Sequence, residues 1–286
     1  MNVQTAKTLN IIGCGRVGKT LARLWTRQSS FVVQDILNRS LASARRAVSF
    51  IGAGRAVERY ADLRTADIYM IAAGDGQIAQ CCEELAAAGK LSAHTLVFHC
   101  SGALPSSILQ AAARNGAAIA SVHPIRSFAD PEQAANEFAG TYCGVEGDAQ
   151  ALVVLNKAFA SIGGRLAPID AGSKTIYHSA AVFACNYLVT LLDVAIQAYK
   201  KSGIPQDTAL KLMEPLVRGT LDNVFRIGPA DALSGPIARG DIATAENQLR
   251  AVHAWNKEYG NLYEQFMKLT ADIAARRSTS GQGVED

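Results

Sequence analysis

The chain has 286 residues, 49% of them hydrophobic, with 28 basic and 25 acidic side chains for a formal net charge of +3. At about 100–200 residues per domain this length predicts two domains with a substantial core, and the scattered charges form no basic stripe able to track a nucleic-acid backbone. The six cysteines (Cys14, Cys81, Cys82, Cys100, Cys143 and Cys185) form no C-x-x-C pair and no Cys/His zinc spacing, so a reduced, cytoplasmic, metal-free protein is expected.

The opening residues lead into a strand without a basic region, an apolar stretch and a cleavage site, so no secretion signal is expected. No apolar run is expected to reach the ~20 residues of a bilayer span. From residue 8 to about 170, short β-rich runs alternate with helix-like stretches. This predicts an α/β, Rossmann-type doubly wound parallel sheet over residues 1–170. Candidate strands are 8–12, 31–37, 67–72, 95–99, 118–122, 141–145 and 165–168, with 47–51 a weaker one; most are unbroken apolar runs, as in strands covered on both faces. Beyond them an all-α domain is predicted over 171–277, with helices near 173–202, 206–224, 241–259 and 260–277, then a tail over 278–286 expected to be mobile.

The first strand runs into Gly13-Cys14-Gly15-Arg16-Val17-Gly18 and then a helix, which is G-x-G-x-x-G in strand–turn–helix context. Gly13 suits the tight turn, Gly15 lets backbone amides approach a pyrophosphate, and Gly18 lets the helix pack on the strand. The exposed amides of Arg16 and Val17 and the helix dipole then favour the anion. About twenty residues on, Asn38-Arg39-Ser40 stands where an NAD enzyme usually places an acid. A guanidinium and a hydroxyl there suit a 2′-phosphate, so NADP(H) is the expected cofactor. Asp35 is the nearby acid, but it precedes the strand end and can face solvent or a neighbouring helix.

Ala72-Ala73-Gly74-Asp75 follows the next strong strand, at the carboxyl edge where ligands lie in such sheets. Ala73 and Gly74 are assigned to backbone contact with the cofactor, while Asp75 can equally cap the next helix. Two further strand ends carry His99-Cys100-Ser101-Gly102 and His123-Pro124-Ile125-Arg126. Ser101 is assigned to the cofactor, His123 either to the substrate or to a structural hydrogen bond, and Arg126 to a substrate carboxylate.

The long apolar segment after Asp170 holds Lys174, His178 and Asn186, which an α-helix places on one broad face. A ketone receiving hydride needs a proton donor or cation beside its developing alkoxide, and Lys174 or His178 suits this. Alternatively, Lys174 is exposed in the first turn and His178 packs at the domain boundary. Arg239, in Leu233-Ser234-Gly235-Pro236-Ile237-Ala238-Arg239-Gly240-Asp241, is a second candidate for a carboxylate, with Asp241 read as an N-cap.

The segments GCGRVG, NRS, HCSG, HPIRSF, KTIYHSAAVFACNYLVTLLD and LSGPIARGD resemble a bacterial two-domain family with a Rossmann-like first half and a C-terminal domain of unknown function. Part of that family resembles an alternative ketopantoate reductase, implying reduction of a branched 2-oxo acid. The wider 6-phosphogluconate dehydrogenase-like set carries a lysine and an asparagine at the start of its helical domain. Lys174 and Asn186 match these in type, with a wider spacing and His178 in the four-residue position. His123-Pro124 resembles the His-Pro of prephenate dehydrogenases. The resulting expectation is an NADP(H)-dependent oxidoreductase acting on a small carboxylate substrate, a homodimer through the helical domain, with no nucleic-acid or membrane partner. The runners-up are a prephenate-dehydrogenase-like enzyme and a non-catalytic NADP(H) sensor.

Overall fold

The structure is a computed structural model and describes residues 6–280, with side chains to residue 277. Strands β1 (Lys7–Ile12), β2 (Phe31–Leu37), β3 (Arg55–Val57), β4 (Ile68–Ile71), β5 (Leu96–His99), β6 (Ala118–Pro124), β7 (Tyr142–Gly147) and β8 (Arg165–Pro168) form one sheet in the order β3-β2-β1-β4-β5-β6-β7-β8. Between the strands run α1 (Arg16–Arg27), α2 (Leu41–Ile51), α3 (Asp75–Ala87), α4 (Gln110–Ala113), α5 (Pro131–Asn136) and α6 (Ala149–Ser161). Apolar runs such as Ile68–Ile71 and Leu96–His99 are buried throughout, as strands covered on both faces require.

Two apolar clusters result. One gathers Leu9, Ile11, Trp25, Phe98, Phe138 and Phe159; the other holds Ile12, Tyr69, Ile78, Leu85 and Leu109. Trp25 meets Phe159 edge-on at 5.2 Å, and its indole N–H donates to the Ala158 carbonyl at 2.8 Å. Burying such a side chain contributes roughly 1.5–3 kcal/mol, and its one polar atom is satisfied.

The doubly wound α/β prediction holds with three corrections. Residues 47–51 end helix α2 rather than forming a strand, because Ser40 caps its start and Gly52, at φ +80°, ends it. Strand β3 has no apolar run long enough to announce it. The sheet is not wholly parallel: β7 runs antiparallel to β6, with His123 opposite Gly144, and β8 then pairs parallel with β7. The β6–β7 connection carries only the short α5, which is tied to α1 by Arg23–Glu132 at 2.6 Å instead of crossing over to start a parallel strand.

The helical part comprises α7 (Lys174–Ala181), a π-helical stretch (Val182–Tyr187), α8 (Leu188–Lys201), α9 (Gln206–Ala232), α10 (Ile242–Trp255) and α11 (Lys257–Ser280). Gly228, at φ +79°, breaks α9 with Pro229 after it, so the first helical piece ends close to the expected 224 and a second short piece follows. Asp241 caps α10 by accepting from the Thr244 N–H, as the sequence suggested. Helix α11 runs to Ser280, and the remainder of the expected tail lies outside the described residues.

The chain divides into two compact units, one extending to Cys185 and the other starting at Asn186, where the sequence suggested 170/171. The difference has a physical origin: Lys174 and Tyr177 in α7 bond to groups on the sheet, so the helix start joins the first unit. The expectation about apolar length also needs correction. The helical run Ala171–Lys201, 31 residues, is long and apolar enough by length and composition to cross a membrane. Its scattered Ser, Asn, Thr and His side chains disguise this in the sequence.

Candidate active site

Gly13 adopts φ +75°, and a Cβ there would come within 2.6 Å of the Ala73 backbone, so only glycine fits. A Cβ on Gly18 would lie 3.1 Å from that of Ala72, which explains its role in bringing α1 against the sheet. Gly15 differs. It is exposed, and a Cβ there would meet nothing nearer than the Gly13 carbonyl at 3.9 Å, so the protein's own packing does not demand glycine. Beside it, the N-terminal turns of α1 and α3 follow the adjacent strands β1 and β4; Arg16 is exposed, Val17 packs partly on the core, and exposed Gly74 precedes α3. Asp75 is the first residue of α3 and makes no side-chain cap.

At the end of β2, the Cys14 N–H donates to Asn38 Oδ1 at 2.6 Å, and Asn38 Nδ2 donates to Ser43 Oγ at 3.1 Å. Asn38 thus braces the glycine turn. Ser40 accepts from the Ser43 N–H as the cap of α2, and Arg39 is exposed. Asp35 faces neither solvent nor a helix. Fully buried, it accepts from Arg55 Nε at 2.9 Å, Arg64 Nη2 at 2.8 Å and the Arg64 N–H at 2.7 Å. Burial alone would raise its pKa, but the Arg64 and Arg55 guanidiniums and the Arg64 amide outweigh it and hold the carboxyl below its usual range.

The second group of residues collects at the ends of β5, β6 and β7. Lys174, only 1% exposed, donates from Nζ to the Ser101 carbonyl at 2.9 Å and to Ser121 Oγ, and lies 3.8 Å from Glu146 Oε1. Two of its N–H bonds thus have acceptors, and the carboxylate offers a nearby counter-charge. Burial lowers its pKa, opposed by Glu146. Glu146 also accepts from the Ser106 N–H and hydroxyl, each at 2.7 Å. His99 is buried: its Nδ1 accepts from the Ser101 N–H at 3.1 Å, which leaves Nε2 to donate to the Pro105 carbonyl at 3.2 Å. Burial, then the charge of Lys174, pushes His99 down to about 4. The Ser101 hydroxyl accepts from the amides of Ala103 and Leu104, so Ser101 shapes this loop.

Around this buried group lie His123, Tyr177 and His178. His123 Nδ1 is 3.1 Å from the Tyr177 hydroxyl, and the His123 and His178 rings meet edge-on with centroids 5.4 Å apart. Two glycines make room. A Cβ on Gly102 would collide with His178 Nδ1 and lie 2.8 Å from His123 Nε2, and one on Gly144 would strike the Tyr177 hydroxyl. Burial first, then His178 and Lys174, lowers His123 to about 4, so its ring is uncharged at neutral pH. His178 Nδ1 is buried without a hydrogen-bond partner. Burial pushes the Cys100 and Cys143 thiols up to about 12, so neither is a nucleophile.

Of the residues singled out in the sequence, Lys174, His123, His178 and Ser101, the last assigned there to the cofactor, come together here with Tyr177, Ser121 and Glu146, which the sequence did not single out. Arg126 pairs with Glu137 through its carbonyl at 2.6 Å and its carboxylate. Asn186 and Arg239 are exposed residues of the second unit. The 3.6-residue phase used to place Asn186 with Lys174 is interrupted by the π-helical stretch that contains it.

Residues 2–124 match the family model described as a Rossmann-like domain. Residues 141–270 match the one described as a domain of unknown function, DUF2520. No curated protein matches the chain. Among solved structures, the chain is similar to "putative NADP oxidoreductase BF3122" from Bacteroides fragilis (TM-score 0.75, 22% identity, 94% of this chain and 99% of that one). It is also similar to protein TM1727 from Thermotoga maritima (TM-score 0.74, 26% identity, 94% and 99%). A third similar structure is an imine reductase from Myxococcus stipitatus in complex with NADP+ (TM-score 0.62, 18% identity, 98% and 96%). These likenesses establish the Rossmann-like fold followed by a helical part.

Proposed function

We propose that the protein is an NADP(H)-dependent oxidoreductase. The observation that carries this reading is Gly15: it is the glycine of the turn that internal packing does not require, and it lies beside the α1 amides where a diphosphate would approach. Arg39 at the end of β2 would take the 2′-phosphate, since Asp35 is already held by two arginines. Arg16, Val17, Ala73 and Gly74 would supply the remaining backbone and side-chain contacts. The similar structures named for NADP support the same choice.

When bound, the nicotinamide supplies a hydride equivalent. Of this chain's residues, His123 and His178 would face the group being reduced, while Ser121, Glu146 and the Ser101 carbonyl hold Lys174 beneath them as a fixed positive charge. The substrate proposed is a small 2-oxo acid of the ketopantoate type, its carboxylate taken by an Arg126 released from Glu137. The test is NADPH oxidation across a panel of 2-oxo acids and cyclic imines, with prephenate and NADP+ run in the oxidative direction. Turnover of an imine alone would overturn the 2-oxo acid assignment, and turnover of prephenate would favour the dehydrogenase reading. Tight NADPH binding with no turnover would favour a sensor, and no NADPH binding in calorimetry would remove the whole proposal.

We further propose a homodimer built on the helical unit. In that unit the buried hydrophobic side chains among the described residues are Ala209, Met213 and Ala245, too few to stabilise four helices. Val189, Leu216 and Phe225 remain exposed, Phe225 at 86%. A second copy covering these faces fits a chain whose six thiols are free, in keeping with the reduced, cytoplasmic setting proposed. A monomeric mass at micromolar concentration, or partition into vesicles instead of self-association, would overturn the dimer.

A further inference from the structure

We propose that Tyr177 is a positioning residue that fixes the tautomer of His123, so that His123 presents its Nε2–H as a hydrogen-bond donor to the atom that gains charge during reduction. The inference rests on the oxidoreductase reading for its chemical use, but not for its geometry. The Tyr177 hydroxyl lies 3.1 Å from His123 Nδ1, with the two rings perpendicular at 87°. It sits directly over Gly144, the residue opposite His123 in the β6–β7 ladder. A phenol O–H is a stronger donor than a neutral imidazole N–H, and an imidazole nitrogen a stronger acceptor than a phenol oxygen, so the hydroxyl hydrogen goes to Nδ1. With Nδ1 accepting, the ring proton of an uncharged His123 must be on Nε2.

Nε2 lies over Gly102, where a Cβ would come within 2.8 Å of it, and no hydrogen bond to it is made among the described residues. The groups that influence its charge are His178 and Lys174, which disfavour an imidazolium, and Asp75, which favours one; burial and the first two prevail. A neutral imidazole donor can polarise a carbonyl or imine without having to lose a full charge to solvent. Lys174 does not take this role as placed, because it is almost wholly buried, with its ammonium donating to Ser101 and Ser121 beside the Glu146 carboxylate.

The test uses the full chain labelled with 15N-histidine, with His123→Gln to assign the signal. At neutral pH, two-bond 15N–1H spectra of the wild type should show a bare Nδ1 and a protonated Nε2 at His123. Tyr177→Phe, which keeps the ring over Gly144, should give a mixture of tautomers with an unchanged melting temperature. On any substrate turned over, Tyr177→Phe should lower kcat about tenfold or more with KM for NADPH within about twofold. A wild-type proton on Nδ1, or a Tyr177→Phe variant with unchanged spectrum and kcat, overturns the proposal. If no substrate is ever reduced, the oxidoreductase reading fails on its own, while the tautomer is still decided by the spectrum.

Discussion

The Lys174 ammonium lies 3.8 Å from the Glu146 carboxylate, and both side chains are almost wholly buried. The pair joins the first turn of α7 to β7, and each member has further hydrogen bonds, to Ser101 and Ser121 on one side and Ser106 on the other. Lys174→Ala leaves a buried carboxylate without its cation. It should cost about 3–5 kcal/mol in chemical denaturation, and Lys174→Met with Glu146→Leu should lose less than Lys174→Ala alone. Equal stability of Lys174→Ala and wild type would show that the pair contributes nothing.

The glycine turn separates folding from binding. Gly13→Ala forces a side chain to φ +75° against Ala73, so the backbone strain alone should cost about 1–3 kcal/mol, visible as a lower melting temperature. Gly15→Ala meets only open space and should melt with the wild type. In calorimetry, however, it should bind NADPH about tenfold or more weakly. If it bound NADPH normally, the turn would not be the diphosphate site.

Arg39→Ala should weaken NADPH much more than NADH, by about tenfold or more, because only the former brings a second phosphate to the end of β2. The ratio of the two dissociation constants is the measurement. An equal loss for both would move the 2′-phosphate elsewhere.

His99 and His123 set an acid limit on stability. Each is depressed from 6.5 to about 4 in the folded protein, so the unfolded chain binds more protons between these values. Their contribution is complete above pH ~6.5 and is lost as pH falls toward 4, with a total on the order of a few kcal/mol. Melting temperature followed from pH 7.5 to 4.5 should fall, and less steeply in His99→Asn. A flat profile would mean that neither histidine is held neutral.

Strands β1, β2 and β4 to β8 were legible because each is a short β-rich run, most of them largely apolar, and the glycine turn because its spacing and flanks are set by local backbone geometry. What escaped was of two kinds. The helix over 47–51 has local signals, Ser40 at its start and Gly52 at its end, but its apolar Ala47–Ile51 run also suits a strand, whereas the reversal at β7 is non-local and depends on α5 docking against α1. The site divides the same way. His123 follows from its strand end, whereas Gly144 and Glu146 enter the site because β7 runs antiparallel to β6, which sets Gly144 opposite His123 and Glu146 opposite Ser121. Tyr177 adjoins His178 in sequence, yet its use depends on Gly144 across the sheet.

Asp35 carries a consequence for redesign. Since it staples β2 to Arg55 and Arg64 at the sheet margin, it is not held in reserve for a diol. Swapping the preferred dinucleotide would mean installing a new acid beyond Leu37. Liberating the old one by removing either arginine would strand a carboxylate in the interior and loosen the edge strand before it altered any selectivity.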